Sequence, residues 1–372
     1  GDVSEYMDIY EKYGLNPVIN ADGKMTILGV SQVSDQVAAA QKQGAQNFFE
    51  MAELTVQTGR YLADLIGSED ALIVNSASAG IAQVLAGIIG RGNAYHVTHP
   101  YTTQITQREV IMPHGQDVDY GAPVDVMLAV AGAQPVLAGY ANRCTAEQLA
   151  MQITPQTVAI LYIKSHHTVQ KSMLTIADAL QVAHDHHLPL VLDAAAEGDL
   201  RRYLQLGVDV VIYSGAKAIS GPASGLVLGR QTYVEWARQQ NYGIGRAMKI
   251  GKENILGLVA AVEQYLTTGP ESGASMKARL APFIAELQTL PNVQVEMVQD
   301  GAGRDIFRAS VRIAEAAKIC QALRQGRPAI YPREYRVNEG LIEFDIRALT
   351  SAEMTQIVER LRTIIEEEST CN

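Results

Sequence analysis

The sequence predicts an α/β fold, with a large doubly wound domain followed by a smaller C-terminal α+β domain. Two apolar runs, at residues 188–193 and 208–213, read as buried parallel strands, which are covered on both faces and so look continuously apolar. Between residues 45 and 265 such runs alternate with helical patterns, as in a doubly wound sheet. The first run ends in Asp193, and the second leads through Tyr213-Ser214-Gly215-Ala216 to Lys217. Open α/β sheets place their chemistry at the carboxyl ends of strands. An acid and an amine delivered there from neighbouring strands suit pyridoxal phosphate (PLP). The lysine would form its Schiff base, and the aspartate would keep its pyridinium nitrogen protonated.

The remaining elements follow in order. Residues 18–26 read as a short strand and turn, and 48–66 as a helix with Phe48, Met51, Leu54, Tyr61, Leu62 and Leu65 on one side. Residues 71–75 form a strand that runs through Ser76-Ala77-Ser78-Ala79-Gly80 into an apolar helix, closed at Gly90-Arg91-Gly92. A strand at 158–163 and a helix at about 175–187 precede the two runs above. Residues 226–229 supply an antiparallel partner that closes the sheet. A long helix from near Gly251 reaches the break at 268–273, which sets the domain boundary. Beyond it the pattern predicts a helix, strands at 293–298 and 307–313, a helix through Leu323, a hairpin-like stretch to Asp345 and a last helix from Ser351. The expected organisation is an N-terminal segment (1–44) packing at a dimer interface and active site, a large domain (45–268) and a small domain (269–372).

Composition limits the function classes. The chain has 372 residues, 47% of them hydrophobic, which is enough for two cored domains. A net charge of −10 argues against general nucleic-acid binding but leaves room for a local cationic site that takes a small anion. The three cysteines form no CxxC motif, so neither a disulfide framework nor a zinc site is expected. No apolar stretch is long enough to span a bilayer, and a reduced cytoplasm is the expected location.

Several residue groups are candidates for chemistry. The backbone N–H groups and hydroxyls of Ser76, Ala77 and Ser78 stand where a helix begins, a place that binds phosphate, although an ordinary serine cap has the same pattern. Asp193 could equally cap a helix at 194–197, while the small Ala195 would let a planar ring lie against it. His166 and His167, with Lys171, follow a strand end and suggest substrate contact; no third ligand is spaced for a metal, so none is expected. His184, His186 and His187 lie near a helix C-terminus, where the dipole or solvent accounts for them. Arg246, Lys249 and Lys252, at i, i+3 and i+6, would form one helical face, either solvated or anion-binding. Arg333 and Arg347 come from the small domain. A guanidinium forks onto a carboxylate with two bonds, and Arg347, flanked by apolar strand residues, is the preferred candidate.

The motifs Ile19-Asn20-Ala21-Asp22-Gly23-Lys24-Met25-Thr26, Asn75-Ser76-Ala77-Ser78-Ala79-Gly80, Ser165-His166-His167, Gln170-Lys171, Asp193-Ala194-Ala195-Ala196-Glu197, Ser214-Gly215-Ala216-Lys217 and Ile244-Gly245-Arg246-Ala247-Met248-Lys249 occur in that order. Together they resemble the selenocysteine-synthase-like branch of fold-type-I (aminotransferase-like) PLP enzymes, from about residue 15 to 365. The resemblance implies Lys217 as the Schiff-base lysine and Asp193 as partner of the ring nitrogen. It implies Ser76, Ala77, Ser78 and Ser214 around the cofactor phosphate, Ala195 on one ring face, and His114 or Tyr101 on the other. Arg347 matches the position that binds a substrate carboxylate. A homodimer or larger assembly would share active sites, so that Met25, Thr26 or the 246–252 face could come from a partner chain. Ala216 departs from relatives with Gly or Thr before the lysine, which removes a possible hydroxyl ligand. The activity implied is that of an ammonia-lyase dehydrating a 2-amino-2-deoxy sugar acid phosphate to a 2-keto-3-deoxy acid phosphate and ammonia. His166, His167 or Lys217 would protonate the leaving hydroxyl. A transferase acting on seryl-tRNA is the first alternative, opposed by the charge of −10 and by the lack of a separate basic domain. A non-enzymatic PLP-binding protein is the second.

Overall fold

The structure, a computed structural model, describes residues 9–119, 122–165 and 171–371. Its chain divides into two compact units. One takes the described parts of Gly1–Ser31 and Gly269–Asn372, and the other is Gln32–Thr268. Residues 1–44, read from the sequence as one segment, are therefore shared between the units. The helix Asp35–Gln46 belongs to the larger one, and it was not singled out in the sequence.

The larger unit is built on a seven-stranded sheet of β2 (Asp70–Val74), β3 (Glu109–Pro113), β4 (Gln134–Ala138), β5 (Thr157–Ile163), β6 (Leu190–Asp193), β7 (Val210–Ser214) and β8 (Gly225–Gly229). Their spatial order is β2-β8-β7-β6-β5-β3-β4, and only β8 runs antiparallel to its neighbours. Successive residues of each strand point to opposite faces, and both faces are cored. Ile73, Ile111, Ile160, Leu192 and Val211 lie in one apolar cluster, while Leu72, Val110, Leu161, Val191 and Ile212 lie in the other. That is why β5, β6 and β7 read as unbroken apolar runs. Each fully buried Leu or Ile contributes roughly 1.5–3 kcal/mol to folding. The sheet order turns back between β3 and β5, because β4 lies outward of β3 while β5 to β7 run the other way. A crevice at the carboxyl ends of the strands is expected at such a reversal.

The helix Ala77–Gly90 follows β2 and is buried from Ala79 to Gly90. β8 runs close beside its start: a Cβ on Gly225 would lie 2.5 Å from the backbone carbon of Ser76, so only glycine lets this strand abut the turn.

The smaller unit holds an antiparallel sheet of β9 (Gln294–Gln299), β10 (Phe307–Arg312) and β12 (Leu341–Phe344), in the order β12-β10-β9. Helices Gly273–Leu287, Ala316–Gln325 and Ser351–Thr370 pack its core, with Phe283, Leu323, Phe344 and Leu361 fully or nearly fully buried. The hairpin-like stretch expected before Asp345 is reduced to one antiparallel bridge. β11 (Ala329–Pro332) instead pairs in parallel with β1 (Val18–Ala21), and β11 meets the chain of β12 only through a bridge between Arg333 and Glu343. Among the described residues, no helix is long and apolar enough to cross a membrane.

Candidate active site

The carboxyl ends of β2, β3, β5, β6 and β7 lie along one edge of the large sheet, because β2 and β7 both run antiparallel to β8 and the other pairs are parallel. β2 leads through Asn75 to Ser76, whose hydroxyl caps the following helix by accepting the Ala79 N–H at 3.0 Å. Ala77 and Ser78 begin that helix, and their N–H groups have no carbonyl partner within it. Ser214 ends β7; its hydroxyl accepts the Ala216 N–H at 3.3 Å. Both serines are half-buried and Ser78 is exposed. The chain then turns through Lys217, braced by Gly215 N–H to the Ser224 carbonyl at 2.8 Å and Gly221 N–H to the Gly215 carbonyl at 2.7 Å.

Asp193 ends β6, paired in register with Ile163 on one side and Ile212 on the other. It is 3% exposed. One carboxylate oxygen accepts the Ala195 N–H at 3.1 Å. Burial drives its pKa up, Ala195 and the charge of Lys217 draw it down, and the balance leaves it raised to about 6. The larger unit therefore keeps a carboxyl in its interior, beside an amine, with burial outweighing the donors that the described residues give it. Ala195 is half-buried immediately beyond it.

β3 leads into a 3-10 turn, His114–Gln116. His114 is exposed there. Gln116 is 1% exposed, and its side-chain carbonyl accepts the Ile163 N–H at 2.7 Å. The β3–β5 ladder ends at the pair Ile111 and Ile160, so this side chain takes the place of a ladder bond where the two strands part. No sequence pattern marked Gln116; a buried amide is recognised only by the bond it makes. His166, His167 and Gln170 lie outside the described residues, and Lys171 is exposed at their border.

Three expectations fail for geometric reasons. Tyr101 does not lie at this edge: its hydroxyl donates to the Val130 carbonyl at 2.9 Å. It sits beside Arg108 and Gly132, at the amino ends of β3 and β4, so within this chain it cannot cover a ring held at the carboxyl ends. The 246–252 cations do not share a helical face. Arg246 sits in a 3-10 turn, Lys249 is extended and Lys252 opens the long helix Lys252–Thr268. Arg246 and Lys249 are exposed, but the Lys252 ammonium donates to the carbonyls of Gly44, Ala45 and Asn47, each at 2.8 Å, closing the end of the helix Asp35–Gln46. The Tyr213 hydroxyl also turns inward, to the Asp199 carbonyl at 2.7 Å. His184, assigned to solvent or the helix dipole, instead bonds the buried Asp209 at 2.8 Å.

The smaller unit gathers cations around the turn after β1. Asn20 shapes it: its side-chain oxygen accepts the N–H groups of Asp22 and Gly23 at 3.0 and 3.2 Å, and its amide donates to the Gly23 carbonyl at 2.6 Å. Arg333 donates to the Asp22 carbonyl at 3.0 Å. Arg347 grips Asp345 through Nε and Nη2, the latter at 2.9 Å, and Asp345 also takes Arg308 Nε at 3.1 Å. Asp345 is 1% exposed; burial pushes its pKa up, but the two arginines outweigh burial and hold it below the usual carboxylate range. Asp22 is the opposite case: burial, aided by Glu334 and Asp345, raises it to about 6 against the pull of Arg333. Arg333 and Arg347, chosen separately from the sequence, are thus brought to one turn. Met25 and Thr26 follow it, half-buried and exposed.

A family model described as SelA, L-seryl-tRNA selenium transferase, matches residues 18–280. The chain belongs to the SelA family. A D-glucosaminate-6-phosphate ammonia lyase of Salmonella typhimurium is 43% identical over 96% of this chain and 98% of its own length. A 5'-C-glycyluridine monooxygenase-decarboxylase of a Streptomyces species is 33% identical over 96% of this chain and 92% of its own. Among solved structures, one titled as a D-glucosaminate-6-phosphate ammonia-lyase superposes with a TM-score of 0.91 at 43% identity, covering 96% of this chain and 98% of that one. The fold is fold type I of the PLP-dependent enzymes, and PLP is the cofactor of this SelA-family chain. The residues at the strand ends fit that group, since a helix start flanked by serines suits its phosphate and a buried carboxyl beside an amine suits its ring nitrogen and aldehyde.

Proposed function

We propose that this protein is a PLP-dependent ammonia-lyase that converts a 2-amino-2-deoxy sugar acid phosphate, D-glucosaminate 6-phosphate, to 2-keto-3-deoxygluconate 6-phosphate and ammonia. The observation that carries the reading is the buried Asp193 beside Lys217, at a sheet edge that also carries Ser76 and Ser214. The 43% identity to an ammonia lyase supports the reaction class.

In this reading Ser76, Ala77, Ser78 and Ser214 would hold the cofactor phosphate, and Ala195 and His114 would flank its ring. Asp193 would ionise when a cationic N–H faces it and would hold the ring nitrogen protonated. Bound PLP supplies the electron sink for the charge left at the substrate Cα. The Lys217 amine binds the cofactor aldehyde at rest and takes the Cα proton during turnover. The C3–O bond then breaks, and the departing hydroxyl needs a proton. His166, His167 or the ammonium form of Lys217 donates it. The resulting enamine tautomerises and adds water, so the water lost at C3 is balanced by the water that releases ammonia. Arg347 and Arg333 hold the substrate's anionic groups, and Met25, Thr26, Lys171, Arg246 and Lys249 make further contacts. The assembly proposed is a homodimer or larger, in the cytoplasm.

The test is a screen of 2-amino-2-deoxy sugar acids, with and without phosphate, for release of ammonia and a 2-oxo acid. Lys217→Ala should abolish turnover, and full activity in that variant would refute the assignment. A net charge of −10 opposes a seryl-tRNA substrate. Filter binding of seryl-tRNA at low salt should therefore show no retention.

A further inference from the structure

We infer that Tyr203, Tyr213 and Tyr265 are positioning residues for the cofactor: their hydroxyls clamp the loop that follows Asp193, and so hold Asp193 and Ala195 in place. This rests on the reading above that sets those two residues at the cofactor ring. The clamp lies wholly in the larger unit. Beyond Asp193 the chain leaves β6 and forms no helix or strand until Arg202. Such a stretch has to find partners for its backbone groups one by one. β7 supplies the first two: the Ala194 N–H donates to the Ile212 carbonyl at 2.8 Å, and the Ser214 N–H donates to the Ala195 carbonyl at 3.1 Å. A turn follows, closed by the Glu197 N–H on the Ala194 carbonyl at 2.9 Å.

From Glu197 onward the partners are tyrosines, drawn from three different elements. Tyr203 of the helix Arg202–Leu206 donates to a Glu197 carboxylate oxygen at 3.1 Å. Tyr265 of the helix Lys252–Thr268 donates to the Gly198 carbonyl at 2.7 Å. Tyr213 of β7 donates to the Asp199 carbonyl at 2.7 Å. Three successive residues are thus each tied by a phenol. Burial raises the pKa of all three phenols, so they remain protonated donors. The approach is close: a Cβ on Gly198 would lie 2.6 Å from the Tyr265 hydroxyl. Tyr213 also precedes Ser214 on the strand that leads to Lys217, so its hydroxyl ties the loop after Asp193 to the strand end that delivers the lysine. A displacement of about 1 Å at a reacting site can cost on the order of 100-fold in rate. A loop that carries both the acid and the ring support therefore needs anchors of this kind.

Tyr265→Phe and Gly198→Ala test the inference, with Ser68→Ala as the control. Phenylalanine keeps the ring and loses the donor. Gly198→Ala keeps the donor and pushes it off the carbonyl, and its Cβ meets no close contact but the phenol. Ser68 donates to the Asp70 carbonyl at 2.8 Å and accepts the Gly229 N–H at 2.9 Å, at the opposite edge of the sheet. Its loss destabilises the larger unit without reaching the loop. Titration of the cofactor-free protein with PLP reads affinity, the visible circular dichroism of the bound cofactor reads how firmly its ring is fixed, and chemical denaturation reads stability. Tyr265→Phe and Gly198→Ala should each weaken PLP binding about 10-fold and lose much of the visible dichroism. Tyr203→Phe, which frees only a side chain, should weaken it less. In turnover, kcat should fall in Tyr265→Phe with KM little changed. Ser68→Ala should bind PLP as the wild type does, at a similar loss of stability. Affinity and dichroism in Tyr265→Phe and Gly198→Ala no different from Ser68→Ala would overturn the clamp. Asp193→Asn separates this from the reading beneath it. If Asp193→Asn alters affinity and dichroism while the loop variants do not, the clamp alone falls; if Asp193→Asn leaves both unchanged, the placement of Asp193 at the ring falls with it.

Discussion

Asp193 in the larger unit and Asp345 in the smaller one are both buried carboxyls at strand ends, 3% and 1% exposed, yet they are held in opposite ways. Asp345 is surrounded by Arg308 and Arg347, and its pKa falls. Asp193 receives one backbone N–H and the charge of Lys217, and its pKa climbs to about 6. The difference separates scaffold from site. A buried carboxylate ringed by arginines fixes those arginines, whereas one whose pKa burial has raised is suited to receive a cationic N–H.

The contrast breaks most visibly on removing charge. Asp345→Asn leaves Arg347 without its buried counter-ion and Arg308 with Asp300 alone, and should destabilise the protein by about 3–5 kcal/mol, measured by chemical denaturation. Asp193→Asn in the cofactor-free protein should be neutral or mildly stabilising in the same assay. Its effect should fall instead on catalysis, with kcat lower by about 100-fold or more once cofactor is supplied. Equal destabilisation by both variants would erase the distinction.

A pH series sharpens it. Asp193 is raised from 3.8 to about 6 on folding, so the folded cofactor-free protein holds a proton that the unfolded chain releases. Its favourable contribution is present below about pH 4 and is lost as pH rises towards 6, by roughly 3 kcal/mol. Asp22 acts with the same sign. Asp300 and Asp345, whose pKa values are depressed, act with the opposite sign, and their contribution is lost on acidification. Asp193→Asn should flatten part of the loss between pH 4 and 6, and cofactor loading should remove the same part.

The smallest expected effect is at the phosphate end. Ser76→Ala removes the cap on the helix Ala77–Gly90 and should lower stability by about 1 kcal/mol. It should also weaken cofactor retention on dialysis, which an ordinary cap would leave untouched.

The same contrast explains what the sequence made legible. β5, β6 and β7 were readable because strands covered on both faces are written as unbroken apolar runs, and Asp193 and Lys217 stand out at the ends of two such runs. The serines of residues 76–78 were readable from their place between strand and helix. β4 was not, being an edge strand that starts Gln134-Pro135 with exposed side chains. The pairing of β1 with β11 joins residues about three hundred positions apart, and local periodicity carries no trace of it. Lys252 looked like part of a cationic face because its true partners, the carbonyls at 44–47, lie two hundred residues away. Asp345 and Arg308 were missed for a related reason: donors and acceptors become a network only when the sheet brings them together.

The central claim is that Lys217 carries the cofactor. Freshly purified protein, loaded with PLP, should show a visible absorption band that borohydride bleaches, and peptide mapping should find the reduced cofactor on Lys217. A cofactor trapped on another lysine, or none trapped at all, would contradict the account.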